Sequence, residues 1–256
     1  MQVSSAHPDQ YKMGLIYAGS NYFNPQTTTG GNVTSNQYIQ SYIPKTDLSD
    51  EICYLAKLGT PIIIMGNGKG PRVMITAGVH GNELPAQIAA IKMINYLNGK
   101  DINGTVYIVP FISPKGTSET LRYWNNQNLN SEANTYGTPS NAIIQACKIL
   151  GVEKLADFHS TQPGCDPGNY SVLCSRAPEF ESYMMAEYIS NHTDSSLISY
   201  DYAGVEYQGA VEDVSNINGI PAVTCEVLSP HGMATNETVN RSFDQMLKFL
   251  EYSKVI

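Results

Sequence analysis

Residues Arg72–Leu97 read RVMITAGVHGNELPAQIAAIKMINYL and join a short apolar segment to a longer apolar one. Arg72–Ala77 is rich in β-branched and other apolar residues, which is typical of a buried strand. Pro85–Leu97 has the length and composition of a helix. The turn between them carries His80 and Glu83. This segment therefore predicts a strand–turn–helix unit with polar side chains where the strand ends, the position of many sites in open α/β sheets.

The same alternation of elements continues along the chain. Gly66–Gly70 predicts a hairpin-like turn before Arg72–Ala77, Asn82 is expected to cap the following helix, and Thr138-Pro139 opens a helix that Gly151 ends. Further strands are predicted at 62–65, 105–110, 155–158 and 221–225, and a last helix at about 236–252. This order predicts a single α/β domain with a mostly parallel mixed sheet sandwiched between helices.

Length and pattern together predict one folded domain. A chain of 256 residues is long enough for one large α/β core. Residues 1–45 lack sustained periodicity, and we interpret them as an N-terminal extension or linker. Residues 46–256 are expected to form the domain itself.

Charge and composition exclude some partners. The net charge of −8 argues against nucleic acid and anionic membranes, and no apolar run approaches the roughly 20 residues of a membrane span. Only 15% of residues are charged, which favours an extracellular or cell-surface protein. Residues 1–5 do not form a signal peptide, so a cytoplasmic location stays open. The oligomeric state is not indicated.

Five cysteines, an odd number without C-x-x-C spacing, give no support for a disulfide framework. Cys165 and Cys174 could pair across a loop, but we expect free thiols.

A metal site is the chemistry that His80, Glu83 and His159 predict together. Two imidazoles and one carboxylate leave a tetrahedral zinc ion with an open position, which is typical of catalytic sites. His159 follows the strand predicted at 155–158. Because His159 lies 76 residues after Glu83 (159 − 83), only the fold can bring the three ligands together.

The order of these motifs resembles the zinc metallocarboxypeptidase superfamily, including its succinylglutamate desuccinylase/aspartoacylase branch. Ala77–Glu83 fits the Gly-x-His-Gly-x-Glu motif, and Thr224-Cys225-Glu226-Val227 resembles the strand that bears the general base. The resemblance covers about residues 60–250. It implies that residues 46–256 form a carboxypeptidase-like catalytic domain with one Zn²⁺ per chain, bound by His80, Glu83 and His159.

The resemblance also implies roles for other residues. Glu226 would be the general base and Arg122 the oxyanion stabiliser. Asn130 and Tyr207 would bind substrate. Glu212 and Asp213 fall where the family sets its side-chain pocket, and acidic groups there would favour a cationic substrate.

Two positions depart from the family pattern. Ser131 stands where the family has an arginine that binds the substrate's terminal carboxylate, which puts ordinary carboxypeptidase specificity in question. Asn128 stands where the family has an aspartate that orients the first zinc histidine, and an amide raises imidazole basicity less than a carboxylate does. His231, in a turn after Glu226, is given no role.

Three functions remain open from the sequence. The first is a zinc peptidase or amidase that cleaves an amide bond in a short peptide, such as a lysine-containing cell-wall peptide. The second is an N-acyl amino acid deacylase of the succinylglutamate desuccinylase/aspartoacylase type. The third is a zinc-containing module that binds peptide without catalysis. The predicted partners are therefore a peptide or an acyl-amino acid.

Overall fold

The structure is a computed structural model that describes residues 2–7, 11–16 and 29–256. Its strands are β1 (Gln2–His7), β2 (Tyr11–Ile16), β3 (Thr60–Gly66), β4 (Arg72–Ala77), β5 (Thr105–Val109), β6 (Lys154–Thr161), β7 (Ser171–Ala177), β8 (Ser196–Tyr202) and β9 (Ala222–Leu228). Its α-helices are α1 (Gln37–Tyr42), α2 (Asp47–Leu58), α3 (Leu84–Leu97), α4 (Pro114–Glu119), α5 (Pro139–Leu150), α6 (Glu181–Thr193), α7 (Val211–Ile217) and α8 (Asn236–Tyr252).

The strands form one sheet in the order β1-β2-β3-β5-β4-β6-β9-β7-β8. Strands β5, β4, β6 and β9 are parallel and occupy its centre. Antiparallel pairs attach β7 on one side and β3, β2 and β1 on the other. The prediction of an α/β domain with a mostly parallel mixed sheet between helices is confirmed, with the parallel strands at the centre.

Two apolar cores cover the two faces of the sheet. One contains side chains of α2, α3, α6 and α8, including Ile52, Ile88 and Phe249. The other contains side chains of α5 and α7, including Ile143 and Val211. Central strands that are covered on both faces must be apolar along their whole length, which explains the continuous apolar runs in the sequence.

Two local predictions were wrong. Strands β3 and β4 do not form a hairpin, because β5 lies between them and pairs with both. The crossover through α3 places β5 parallel beside β4, and β3 then pairs with the other edge of β5. Asn82 does not cap α3 either: Glu83 holds the cap position without a side-chain cap bond, since its carboxylate contacts His80 and His159 instead.

The ends of helix α5 agree with the sequence prediction. Thr138 caps α5 and Gly151 ends it in the left-handed conformation. Within 1–45, the predicted extension or linker, β1 and β2 extend the sheet and α1 is helical, whereas residues 17–28 lie outside the described part of the chain. The boundary at residue 45 stays a prediction. In the described residues, no helix is both long and apolar enough to cross a membrane.

Candidate active site

The turn between β4 and α3 presents His80 and Glu83 at the carboxyl end of the central strands. Gly81 is required there by a close backbone approach, since a Cβ at this position would lie 2.0 Å from the carbonyl carbon of Gly116. The buried amide of Gln87 donates to the backbone carbonyls of His80 (3.2 Å) and Glu83 (2.9 Å). Thr117 in turn donates to Gln87 Oε1 at 2.6 Å. These contacts fix the turn, and sequence reasoning gave no role to Gln87.

Glu83 lies between the two predicted histidine ligands. Its Oε1 is 2.8 Å from Nδ1 of His80, and its Oε2 is 2.8 Å from Nδ1 of His159. The backbone N–H of Ser160 also donates to Oε2 at 3.2 Å. All three side chains are buried. The structure therefore brings together the three residues that the sequence predicted as a metal site.

The Nε2 atom of each histidine contacts a second side chain. The Nε2 atom of His80 is 2.8 Å from Oδ1 of Asn128, and Nε2 of His159 is 2.9 Å from Oδ2 of Asp157. Asp157 itself accepts a hydrogen bond from Thr76 at 2.6 Å. Because Nε2 is engaged in both rings, both Nδ1 atoms are directed towards Glu83.

Opposite charges within the cluster shift the pKa values of Glu83 and His159. Burial alone would raise the pKa of Glu83, but His80 and His159 outweigh it and hold that pKa well below its ordinary value. Burial alone would lower the pKa of His159, but Asp157 and Glu83 raise it well above its ordinary value. The cluster therefore stabilises positive charge next to Glu83.

The donor set fits a metal ion. One ligand atom from each of His80, Glu83 and His159 lies within 4.8 Å of the other two. Two imidazole nitrogens and a carboxylate oxygen are zinc-type ligands, and the contacts of Asn128 and Asp157 match the hydrogen bonds that orient metal-bound histidines. These three residues could hold a divalent cation.

Glu226 faces the same site from the neighbouring strand. His159 on β6 and Glu226 on β9 are directly paired in the sheet. The Oε2 atom of Glu226 is shielded from solvent and has no hydrogen-bond partner among the described residues. Burial, with Glu83 and Asp157 adding to it against His159 and Arg122, raises the pKa of Glu226 to about 8. In the metal-free site most of Glu226 is therefore protonated at neutral pH. A cation bound nearby would favour its carboxylate form, which can accept a proton.

Arg122 and His231 both approach Glu83. The guanidinium of Arg122 lies 2.8 Å from Oε1 of Glu83, while Nε2 of His231 lies 3.6 Å from the same oxygen and 3.2 Å from the carbonyl of Ser160. Sequence reasoning treated His231 as a turn residue without a role. The contact of His231 with Ser160 joins residues 71 positions apart in the sequence, and no local sequence pattern predicts it.

These groups line a cavity of about 360 Å³. Its walls include the cluster His80, Glu83 and His159, the predicted catalytic residues Arg122 and Glu226, and three of the predicted substrate-binding residues, Asn130, Tyr207 and Glu212. A cavity of this size suits a small molecule or the end of a short chain.

Asp213, the remaining predicted substrate-binding residue, is buried away from the cavity lining. It accepts hydrogen bonds from Gly204 N (2.7 Å) and Ser175 Oγ (3.2 Å). Burial, together with the adjacent Asp213, raises the pKa of Glu212 well above its ordinary value. Glu212 lines the cavity, and its contact with a substrate stays a prediction.

The five cysteines are all free thiols. Cys174 is buried in β7 and Cys165 is exposed at the cavity. The alternative pairing of Cys165 with Cys174 is therefore not formed.

Fold and site together place a candidate metal cluster near the carboxyl ends of the central strands of an α/β sheet. The model of the succinylglutamate desuccinylase/aspartoacylase catalytic domain matches residues 69–250, and the chain belongs to this family. The matched range contains the positions of His80, Glu83, Arg122, His159 and Glu226. The resemblance predicted from the sequence is thereby confirmed.

Similar proteins agree with this family. A curated relative, the N-alpha-acetyl-L-2,4-diaminobutyric acid deacetylase of Halomonas elongata, is 24% identical over 47% of this chain and 33% of its own. A succinylglutamate desuccinylase structure from Silicibacter sp. TM1040 has a TM-score of 0.63 and 18% identity, over 77% of this chain and 61% of that one. A metallo-carboxypeptidase structure from Burkholderia cenocepacia has a TM-score of 0.57 and 14% identity, over 75% and 60%. The chain thus spans about a third of the curated relative and three fifths of these two structures, whose likeness shows the shared fold.

Proposed function

We propose that this protein is a zinc-dependent amidohydrolase that removes the acyl group from an N-acyl amino acid. The observation that carries the proposal is the arrangement of Glu226, with its unpartnered and shielded Oε2, beside the His80–Glu83–His159 cluster in one cavity. Membership of the desuccinylase/aspartoacylase family supports it. The name of the curated relative, a deacetylase of an N-acetyl amino acid, supports the same choice.

The reaction divides among the side chains of the cavity. His80, Glu83 and His159 would hold zinc, which when bound supplies a Lewis acid for water and for the substrate carbonyl. Glu226 would accept a proton from the attacking water and pass it to the leaving nitrogen as the C–N bond breaks. Arg122 would donate hydrogen bonds to the developing oxyanion, a contribution of about 100- to 1000-fold in comparable sites. The products are a carboxylate and a free amine.

A short peptide with a lysine side chain is the second candidate substrate. Exposed Asp166 at the cavity favours a positively charged group on the substrate, whether peptide or acyl-amino acid. Nothing in the comparisons supports a cell-wall substrate or an extracellular location. A module without catalysis is disfavoured, because Glu226 and Arg122 both face the cluster.

Hydrolysis of a substrate panel tests the proposal. Zinc-loaded enzyme is incubated with N-acetyl, N-succinyl and dipeptide substrates, and amine release is measured by mass spectrometry. We expect N-acyl amino acids to be cleaved, and Glu226→Gln to reduce turnover by several orders of magnitude while zinc content and fold are retained. Exposed Glu119→Gln is the matched control and should leave turnover unchanged. Near-normal turnover in Glu226→Gln would remove the assigned base, and cleavage of dipeptides alone would favour the second candidate.

A further inference from the structure

A second group of residues lines the cavity beside the metal cluster. It consists of Asp166 and the rings of Tyr200 and Tyr207. The hydroxyl of Tyr207 donates to Oδ2 of Asp166 at 3.5 Å, and the two rings meet edge to face with their centroids 5.7 Å apart. The proposed chemistry uses neither Asp166 nor Tyr200.

The local backbone holds this group in place. Gly168, with a φ of +63°, donates its N–H to Thr161 Oγ1 at 3.1 Å and closes the turn that carries Asp166. On the other side, Gly209 packs so tightly on Ser131 that an added Cβ would lie 2.3 Å from the Ser131 carbonyl oxygen. That contact anchors the segment of Tyr207. Both sides of the group are therefore fixed relative to the cavity.

The charges in the cavity favour one kind of ligand. Among the described residues that line it, Arg122 is the only lysine or arginine, and Arg122 is paired with Glu83. Asp166 is exposed to the cavity and is in contact with a neutral phenol. An anionic substrate side chain would meet no lysine and no unpaired arginine among the described lining residues, whereas an ammonium group would find a carboxylate and two aromatic rings.

Other basic residues do not change this balance. Arg176 is directed to Asp201 (3.9 Å) and to the ring of Tyr183 (4.8 Å to the centroid), and neither Arg176 nor Lys115 lines the cavity.

We infer that Asp166, with Tyr200 and Tyr207, forms a subsite for a cationic side chain of the substrate, so that the enzyme prefers acyl-amino acids bearing an ammonium group. The inference rests on the proposed function and specifies its substrate class. A carboxylate and aromatic faces together replace the water that an ammonium group loses on entering a cavity. The subsite differs from the sequence expectation, which placed the acidic residues at Glu212 and Asp213.

The test compares substrates that differ only in charge. Nα-acetyl derivatives of diaminobutyrate, ornithine and lysine are each compared with an uncharged isostere, such as norleucine for lysine, and with Nα-acetylglutamate. We expect kcat/KM for at least one cationic substrate to exceed that of its isostere at least tenfold, about 1.4 kcal/mol. Asp166→Asn should reduce this preference to less than threefold, and added salt should weaken it. Exposed Asp101→Asn is the matched control and should retain the preference.

Calorimetry separates this inference from the proposed function. The product-type amino acids lysine, ornithine and norleucine are titrated into the zinc-loaded protein and into Asp166→Asn. Tighter binding of a cationic amino acid that is lost in Asp166→Asn supports the subsite even if no N-acyl substrate is cleaved. The subsite is overturned if neither assay shows a charge preference, or if a preference is found but survives Asp166→Asn. It is also overturned if substrates are cleaved without any charge preference, and this last result would leave the proposed hydrolase intact.

Discussion

His159 and Glu226 occupy directly paired positions on the parallel strands β6 and β9. The backbone ladder therefore sets the spacing between a candidate metal ligand and the candidate base, with neighbouring pairs such as Phe158 with Cys225 fixed in the same register. Rigid strands hold reacting groups more exactly than loops do. Substitutions that leave these strands intact should change the chemistry of the site and not its geometry.

The metal prediction is tested on His159. Replacing His159 with alanine removes one of three ligands and leaves Glu83 and Asp157 without their shared imidazole. We expect zinc content after dialysis, measured by plasma mass spectrometry, to fall well below the one zinc per chain that we expect for the wild type. His192→Ala, on the exposed face of α6, is the matched control and should retain zinc. Stoichiometric zinc in His159→Ala would remove this residue from the ligand set.

The neutral partner of His80 gives a second prediction. Asn128 Oδ1 lies 2.8 Å from Nε2 of His80, and a carboxylate at that position would make the imidazole a more basic ligand. We expect Asn128→Asp to strengthen zinc binding by about 10-fold or more, within the range reported for such outer partners. The dissociation constant is measured by competition with a chromophoric chelator.

A neighbouring substitution separates the hydrogen bond from the added charge. Asn130→Asp places a carboxylate two residues away, where no contact with His80 is observed. Equal strengthening by both variants would mean that general electrostatics, and not the contact with His80, controls the affinity.

The metal cluster could be predicted from the sequence because each ligand stands near the carboxyl end of a strand, or just beyond it, and the strand has a clear apolar pattern. His80 and Glu83 share the turn after β4, and His159 and Glu226 lie near the carboxyl ends of the parallel strands β6 and β9. Two of the residues that were missed reach the site from loops. Asp166 and His231 lie in irregular segments, where periodicity carries no information and contacts depend on how distant turns pack.

The edge of the sheet was also harder to predict than its centre. Central strands are buried on both faces and can be recognised in the sequence as apolar runs. Strand β8 is only partly buried and carries polar residues such as Asp201. The order of the strands in the sheet could not be predicted from local sequence patterns for a further reason. Strand β3 pairs with β5 instead of β4 because the crossover through α3, which joins β4 to β5, places β5 between them in the sheet.

The buried pair Glu212 and Asp213 predicts a pH dependence of stability. Burial and Asp213 raise the pKa of Glu212 well above its ordinary value of 4.5. For a carboxyl group with a raised folded-state pKa, stability is fully present below the unfolded value and is lost as pH rises towards the folded one. The free energy of unfolding should therefore decline with rising pH above about 4.5, with this residue contributing at most about 1.4 kcal/mol per pH unit.

Glu212→Gln removes that ionisation while preserving an amide donor towards Asp213. We expect denaturant unfolding curves of the variant to show a smaller loss of stability than wild type between pH 5 and pH 9. Exposed Glu119→Gln should follow the wild-type profile. Parallel profiles for wild type and Glu212→Gln would show that Glu212 is ionised at no cost, in contradiction of its burial.

Ser131 gives the last prediction, on recognition of the substrate carboxylate. Its hydroxyl donates to the backbone carbonyl of Asn128 at 2.9 Å, and it provides no cation. A paired arginine and carboxylate form a strong, directional contact, and Lys115 and Arg176 do not line the cavity to replace it. We expect kcat/KM for substrates with a free α-carboxylate and for the matched carboxamides to agree within about tenfold, which is about 1.4 kcal/mol. Ser131→Ala should leave this ratio unchanged, and Ser131→Arg should raise it in favour of the free acid. A wild-type preference of about 100-fold for the free acid, or about 2.7 kcal/mol, would mean that another group binds the carboxylate and would restore ordinary carboxypeptidase-like recognition.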